Sequence, residues 1–461
     1  MTENKTEKGP AMKKARALLL HCFEEVYPAE WLKPVINEME NGIRSLDSVE
    51  VAGSYELKNS LTTDEAISGT ERLNFDFIIV NIVSWHLTPY IMAVLKDYLN
   101  KPLLIYSTGA KMDASGKLHS PAAPAALTAL TPVLKDMGYR FKVIYEKPNE
   151  PHKFNQIGKY AQIINAYKQI TNARIGLIGY ADMGLFTCVY DKTEVFKKLG
   201  VEIEDYFSYE IGKVMDDAPQ SEIDAVKSDI KARTVFINEV TDTALDRAAR
   251  LYYAMKNKAD DRGLSALSIK CVSGATKFMG INPCMAQSLL ADRNFSVICE
   301  CDAHGLITTV MLSALTGQTS VFMENYEFLD EQVLAGICGF LPKDFADGEH
   351  RFKSSRLGDF FIGISCVSKV KTGPVTLARL FRKGDRYAMF LSRAETVSPM
   401  KWTELGWEEP TPDFPSLLIK PEMGMDRYVE ECPGQHIVIV RGDCFDAMKD
   451  LCALMGIEVI S

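Results

Sequence analysis

The sequence predicts an α/β protein: two doubly wound α/β domains followed by a C-terminal antiparallel β-barrel-like domain. Three observations lead there. From Ala15 to Ile170, short apolar runs alternate with segments of helical period. At Ala173 the alternation restarts and continues to Glu327. Beyond Glu327 the apolar runs stay short, and turn residues rather than full helices divide them. Alternating strands and helices signal parallel βαβ units, whereas strands divided by turns signal antiparallel sheet. The expected division is a disordered tail over 1–13, an N-terminal α/β domain over 14–172, a central α/β domain over 173–327 and a β-rich domain over 328–461.

In the first domain Ala15 to Cys22 reads as an apolar strand. Glu30 to Leu46 reads as an amphipathic helix with Trp31, Val35, Ile36 and Ile43 on one face. Val49 to Ala52 is a short strand, and a helix begins near Thr63. Phe75 to Val83 is nearly continuous in β-branched and aromatic residues, as a buried parallel strand is. The helix Pro89 to Leu99 has proline at its start. Pro102 to Tyr106 and Phe141 to Tyr145 are further strands, with a helix from Lys153 to Ile170. In the second domain Arg174 to Tyr180 is a strand entering a glycine-containing loop. Val201 to Tyr206 and Ser265 to Cys271 are strands, and Ser221 to about Asp260 is a long helical region. In the third, Phe360 to Cys366, Tyr387 to Ala394, Ser416 to Ile419 and His436 to Val440 are short strands. A helix from Phe445 to Leu454 and the strand Ile457 to Ile460 close the chain.

The stretch from Phe295 to Asn325 reads as strand, helix, strand. Phe295 to Cys299 is apolar and runs into Glu300, and Ser320 to Met323 is apolar and runs into Glu324. Asp302 is placed to cap the intervening helix, which Gly317 stops. A crossover of this kind makes its two strands parallel, with both C-terminal ends on one sheet edge, where open α/β proteins place ligands. Glu300 and Glu324 are therefore expected side by side. There they either repel or share a cation or a proton, unless each is simply a solvated strand end.

The composition excludes some functions. The net charge of −9 argues against general nucleic-acid binding and against docking on an anionic membrane. The eleven scattered cysteines and the polar N-terminus predict reduced thiols and a cytoplasmic protein. No apolar stretch has the length to span a bilayer.

His436 opens an apolar strand after Pro433-Gly-Gln435. Alone, such a residue is more often a structural histidine. With two carboxylates it suits a divalent ion of intermediate softness such as Mn²⁺. His304, in the first turn of the helix after Glu300, is within reach of a substrate or of the surface. Cys299, Cys301 and His304 form a C-x-C-x-x-H without a fourth zinc ligand at matched spacing, so the cysteines read as core. The turn with Gly176, Gly179 and Gly184 is like a phosphate cradle but lacks the G-x-G-x-x-G spacing. Trp85 and His86 follow the strongest strand of the first domain and read as an aromatic lid on its core.

Several segments resemble the L-fucose isomerase family, which is related to the L-arabinose isomerases. They are Ala173 to Gly179 with Lys198 to Glu204, Gly280 to Ala291, the Glu300 to Glu324 stretch, Thr372 to Leu380 and Gly434 to Val440. The likeness covers roughly 173–461, and the first domain by architecture alone. The resemblance implies a metal-dependent aldose–ketose isomerase working through an enediol. It implies Glu300, Glu324 and His436 as ligands of a divalent metal, usually Mn²⁺, with the two glutamates also catalytic. It implies Trp85 as a substrate contact, a small-molecule sugar substrate and a homo-oligomer, trimer or hexamer; by position, His304 and Gln435 are further candidate substrate contacts. The chain departs from many short relatives at Ile337, where they carry histidine before a Cys-Gly pair. A sugar-binding protein without turnover, and a metal-dependent lyase or aldolase, are the alternatives.

Overall fold

The structure is a computed structural model that describes residues 14–357, 361–399 and 414–461. The tail expected over 1–13 lies outside the described residues. The chain forms two compact units, 1–168 and 169–461.

The first unit holds strands β1 (Ala15–Cys22), β2 (Val49–Leu57), β3 (Phe77–Ile82) and β4 (Leu103–Ser107). A small hairpin, β5 (Lys111–Met112) with β6 (Leu118–His119), precedes β7 (Phe141–Tyr145). The order β2-β1-β3-β4-β7 makes a five-stranded sheet, parallel throughout. β3 is buried along its whole length. This is what its unbroken apolar run requires, because a parallel strand covered by helices on both faces has no wet side.

The second unit opens with β8 (Arg174–Ile178), β9 (Glu202–Tyr206), β10 (Val235–Phe236), β11 (Ala266–Ile269) and β12 (Ser296–Cys299). It continues with β13 (Val321–Phe328), β14 (Val333–Gly336), β15 (Arg351–Leu357), β16 (Phe361–Cys366) and β17 (Gly373–Lys383). The last strands are β18 (Arg386–Val397), β19 (Ser416–Pro421), β20 (His436–Arg441) and β21 (Glu458–Ile460). Four of them form a parallel sheet in the order β12-β11-β8-β9. The long helical region expected from Ser221 to about Asp260 consists of two helices, Gln220–Arg233 and Asp242–Arg262, with β10 between them. That strand joins β15 and β16 in a separate sheet.

The C-terminal strands form a closed antiparallel barrel. The ladder β17-β20-β13-β14-β19-β18 returns on itself through the β17–β18 pairing, so six strands close, and β21 adds in parallel to β18. Closure removes the free edges that an antiparallel sheet would expose.

One expectation fails. The strand carrying Glu324 does not return to the sheet that carries Glu300. β12 lies in the parallel sheet, whereas β13 enters the barrel and pairs antiparallel with β14 and β20. The crossover helix, Ala303–Thr316, does end at Gly317 in a left-handed conformation, as expected. The chain then leaves the parallel sheet altogether. The expected boundary between 327 and 328 thus falls inside β13. The helix packs on β12 and β11 on one side and on β17, β20 and β13 on the other, so it is the joint between sheet and barrel.

β20 is the buried centre of that barrel wall, with Ile439 paired to Val321 on one side and Leu377 on the other. Ile439→Ala is expected to destabilise the 169–461 unit by about 2–5 kcal/mol, as core truncations do, read from its urea unfolding midpoint.

Candidate metal centre

Glu300 follows β12 in a left-handed turn: its φ is 66° and that of Cys301 is 51°. Neither residue is glycine, so each carries about 1–2 kcal/mol of backbone strain, of the kind that collects at functional sites. The turn is held by hydrogen bonds on both sides. The Glu300 amide donates to the Ile269 carbonyl at 2.9 Å, and its carbonyl accepts from the Asp182 amide at 3.1 Å. The Cys301 thiol donates to the Ile178 carbonyl at 3.1 Å. The turn swings the Glu300 side chain off the sheet edge.

Glu324 and His436 arrive by a different route. They are directly paired across β13 and β20, so their side chains share one face of the barrel. On this face the Phe322 ring lies 4.2 Å from the His436 ring. The Nε2 of His436 is 3.1 Å from Oε2 of Glu300. One ligand atom each from Glu300, Glu324 and His436 fall within 4.8 Å of one another. Two of the three thus come from the barrel and one from the parallel sheet. The carboxylates are neighbours as expected, but by the meeting of two sheets rather than by a shared edge.

The donor set fits a divalent cation. The Oε2 of Glu300 and the Nε2 of His436 are buried, and apart from facing each other at 3.1 Å they have no partner among the described residues. Burial pushes the Glu324 carboxyl up to about 7; the neighbouring Glu300 charge adds to this, and His436 opposes it. An ion held by the three would remove the repulsion and satisfy the orphaned atoms.

Asp302 has a larger part than a cap. Its Oδ1 accepts from the Gly305 amide at 3.0 Å and starts the helix, as the sequence predicted. Its Oδ2 accepts from His436 Nδ1 at 2.9 Å. Arg379, on β17, closes on both oxygens, with NH1 2.7 Å from Oδ2 and NH2 donating to Oδ1 at 2.9 Å. All three side chains are 1% exposed or less. Burial alone would raise the Asp302 carboxyl, but the Arg379 charge and the His436 donor outweigh it and hold it well below the usual carboxylate range. Burial would lower His436, but the Asp302 hydrogen bond, with Cys188 and Glu300, pushes it well above its ordinary value. Asp302 therefore fixes hydrogen on Nδ1 and turns Nε2 toward the glutamates, the usual support for a metal-ligating histidine.

A second cluster, Cys188 with Asp302 and His436, is buried at all three residues. Its Asp302 oxygens are already taken by Gly305, Arg379 and His436, and burial raises the Cys188 thiol. It packs around the first set and does not form a second one.

The remaining predicted residues separate. His304 is buried, its ring 5.7 Å from that of Tyr387, and burial followed by the Arg379 charge pushes it down to about 4. It is a neutral wall. Gln435 accepts from the Thr187 hydroxyl at 3.0 Å through Oε1, while its Nε2 is buried without a partner. Trp85 belongs to the first unit, at the end of β3 and 39% exposed. Cys299 and Cys301 are buried, and no metal-spaced cluster among the described residues includes them with His304. Ile337 is buried one residue beyond Gly336, the β14 partner of Glu324.

No family model matches the chain. Curated relatives do. A sulfoquinovose isomerase of Priestia aryabhattai is 20% identical over 435 residues, spanning 93% of this chain and 92% of the relative. One of Alkalicoccus urumqiensis is 20% identical over 397 residues, 84% of this chain and 86% of the relative. One of Clostridium sp. (strain MSTE9) is 21% identical over 285 residues, 61% and 63%. A match over 435 residues reaches into the first unit, where the sequence had shown only a likeness of architecture.

Two outcomes follow from this geometry. Asp302→Ala leaves the buried Arg379 cation unpaired and is expected to destabilise the unit by about 3–5 kcal/mol, read by urea denaturation. Glu324 binds its proton more tightly folded than unfolded, so its contribution to stability is full below about 4.5 and lost as pH rises through about 7. Chelator-treated protein should lose melting temperature across that window, and Glu324→Gln should flatten the loss.

Proposed function

We propose that this chain is a metal-dependent aldose–ketose isomerase that acts on an open-chain sugar through an enediol. The observation that carries the reading is the meeting of Glu300, Glu324 and His436 from two sheets, with Asp302 and Arg379 behind the histidine. The sulfoquinovose isomerase relatives support a sugar isomerase. The site has two oxygen donors and one imidazole, which suits Mn²⁺ among common divalent ions.

Such an ion, when bound, supplies a Lewis acid that lowers the energy of negative charge on sugar oxygens. The chain supplies the rest. One glutamate takes the proton from C2 and returns it to C1, and the other moves a proton between O1 and O2. Without an ion, burial and the Glu300 charge push the Glu324 carboxyl up to about 7; a bound cation would draw it down, so its basicity in the loaded site is set by how the ion shares its charge. The buried Phe322 ring, 4.2 Å from that of His436, would keep water from the reacting carbons. Gln435, with its unpartnered Nε2, is placed to hydrogen-bond a sugar hydroxyl. The reading includes Trp85 as a substrate contact, a cytoplasmic location and a homo-oligomer, trimer or hexamer.

Ile337 favours one alternative: an isoleucine where histidine stands in many short relatives fits a sugar-binding protein that has lost turnover. The two readings part in one assay. Mn²⁺ is expected to raise the melting temperature, and with Mn²⁺ the protein is expected to convert sulfoquinovose, or another member of an aldose panel, to its ketose. Glu300→Ala should abolish the Mn²⁺ shift. Glu324→Gln should lower kcat by about 10²–10⁴, the usual range for a lost acid or base. Metal and sugar binding without turnover would establish the alternative, and no Mn²⁺ shift would remove the metal centre itself.

A further inference from the structure

The glycine-containing turn after β8 is unused by the isomerase chemistry above. Gly176 is a packing glycine, since a Cβ there would lie 2.6 Å from Leu264. Gly179 differs. It has φ 99°, and a Cβ there would lie 2.8 Å from Cβ of Lys270. Gly274, in the helix Cys271–Met279 that follows β11, would put a Cβ 2.9 Å from both Cβ and Cγ of the same lysine. Two bare glycines, one in a turn and one in a helix, flank the stem of one side chain.

Lys270 extends β11 by one residue, and its amide donates to the Ile178 carbonyl at 2.9 Å. Ile269 is paired with Cys299, so the next residues in register are Lys270 and Glu300. The residues that follow the four strands at this edge of the sheet are Gly179, Phe207, Lys270 and Glu300, and Lys270 is the one cation among them. Its loop is pinned. The buried Asp182 accepts from the amides of Val272 at 2.7 Å, Ser273 at 3.1 Å and Met183 at 2.9 Å. The Lys270 carbonyl accepts from the Ala275 amide at 2.8 Å. Lys270 itself is half-buried, and no carboxylate among the described residues pairs with its ammonium. An unpaired lysine at the C-terminal edge of a parallel sheet, next in register to Glu300, has the charge and the place to meet an anion.

We propose that Lys270 is a specificity-determining residue that receives an anionic substituent, such as a sulfonate, on the sugar whose reacting carbons face Glu300 and Glu324. This rests on the isomerase reading. The two bare positions leave room for the lysine stem to lie along the sheet edge. The contact selects for charged sugars over neutral ones and weakens with added salt.

The test compares sulfoquinovose with D-glucose, which differs at C6, using Mn²⁺-loaded full-length protein. Wild type is expected to favour the sulfonated sugar. Lys270→Met is expected to narrow that preference in kcat/KM by tenfold or more, through KM rather than kcat, while its Mn²⁺-induced melting shift stays as in wild type. Raised salt should increase KM for sulfoquinovose in wild type and not in Lys270→Met. An unchanged preference in a Lys270→Met protein that still shows the Mn²⁺ shift overturns the inference and leaves the isomerase reading intact. So does wild-type turnover of glucose alone. Turnover of no sugar in the panel by wild type overturns the isomerase reading, and this inference with it.

Discussion

The carboxylate of Asp302 is the constraint on which the second unit depends. It begins the helix that joins sheet to barrel, neutralises Arg379, the largest fully buried side chain among the described residues, and sets the hydrogen on His436. A buried pair of this kind adds little net stability, because desolvation offsets most of the attraction. Its effect is to fix arrangement. The helix start, strand β17 and strand β20 can meet in one way if a single carboxylate is to serve all three. Gly305 belongs to the same constraint: a Cβ there would lie 2.5 Å from NH1 of Arg379, so the guanidinium reaches Asp302 because that position is bare.

Much of the architecture was legible in the sequence, for physical reasons. β1 spans the predicted Ala15–Cys22, and β3 lies within the predicted Phe75 to Val83, because buried parallel strands are written as unbroken apolar runs. The change of period after Glu327 correctly signalled an antiparallel barrel. The partner of β13 was not legible. Ser320 to Met323 reads equally well as a strand of either sheet. A usable signal lay just beyond, where Asn325, Tyr326, Glu327 and Phe328 continue the strand with polar and half-exposed residues. A strand covered on both faces would not continue that way.

The site was legible as residue types and not as geometry. Glu300, Glu324 and His436 come together, yet the left-handed turn at Glu300 and Cys301 had no signal, since such turns are normally marked by glycine or asparagine. Asp302 was read as a cap, which it is, but a cap has a second oxygen. Arg379 stood in view within Val375 to Leu380, a charged residue in an apolar strand, and such a residue calls for a buried partner.

The barrel's strand order has a consequence for how the protein is made. β20 lies between β13 and β17 in the ladder, yet it is the last of the six barrel strands to leave the ribosome. The parallel sheet can form early from neighbouring segments, whereas the barrel stays open until nearly the whole chain exists. Contacts of such long sequence separation form late and slowly. His436 is thus inserted as a keystone, and the centre it completes comes into being with the closing of the barrel. A nascent chain short of this strand has both glutamates, Asp302 and Arg379, but no means of holding them together.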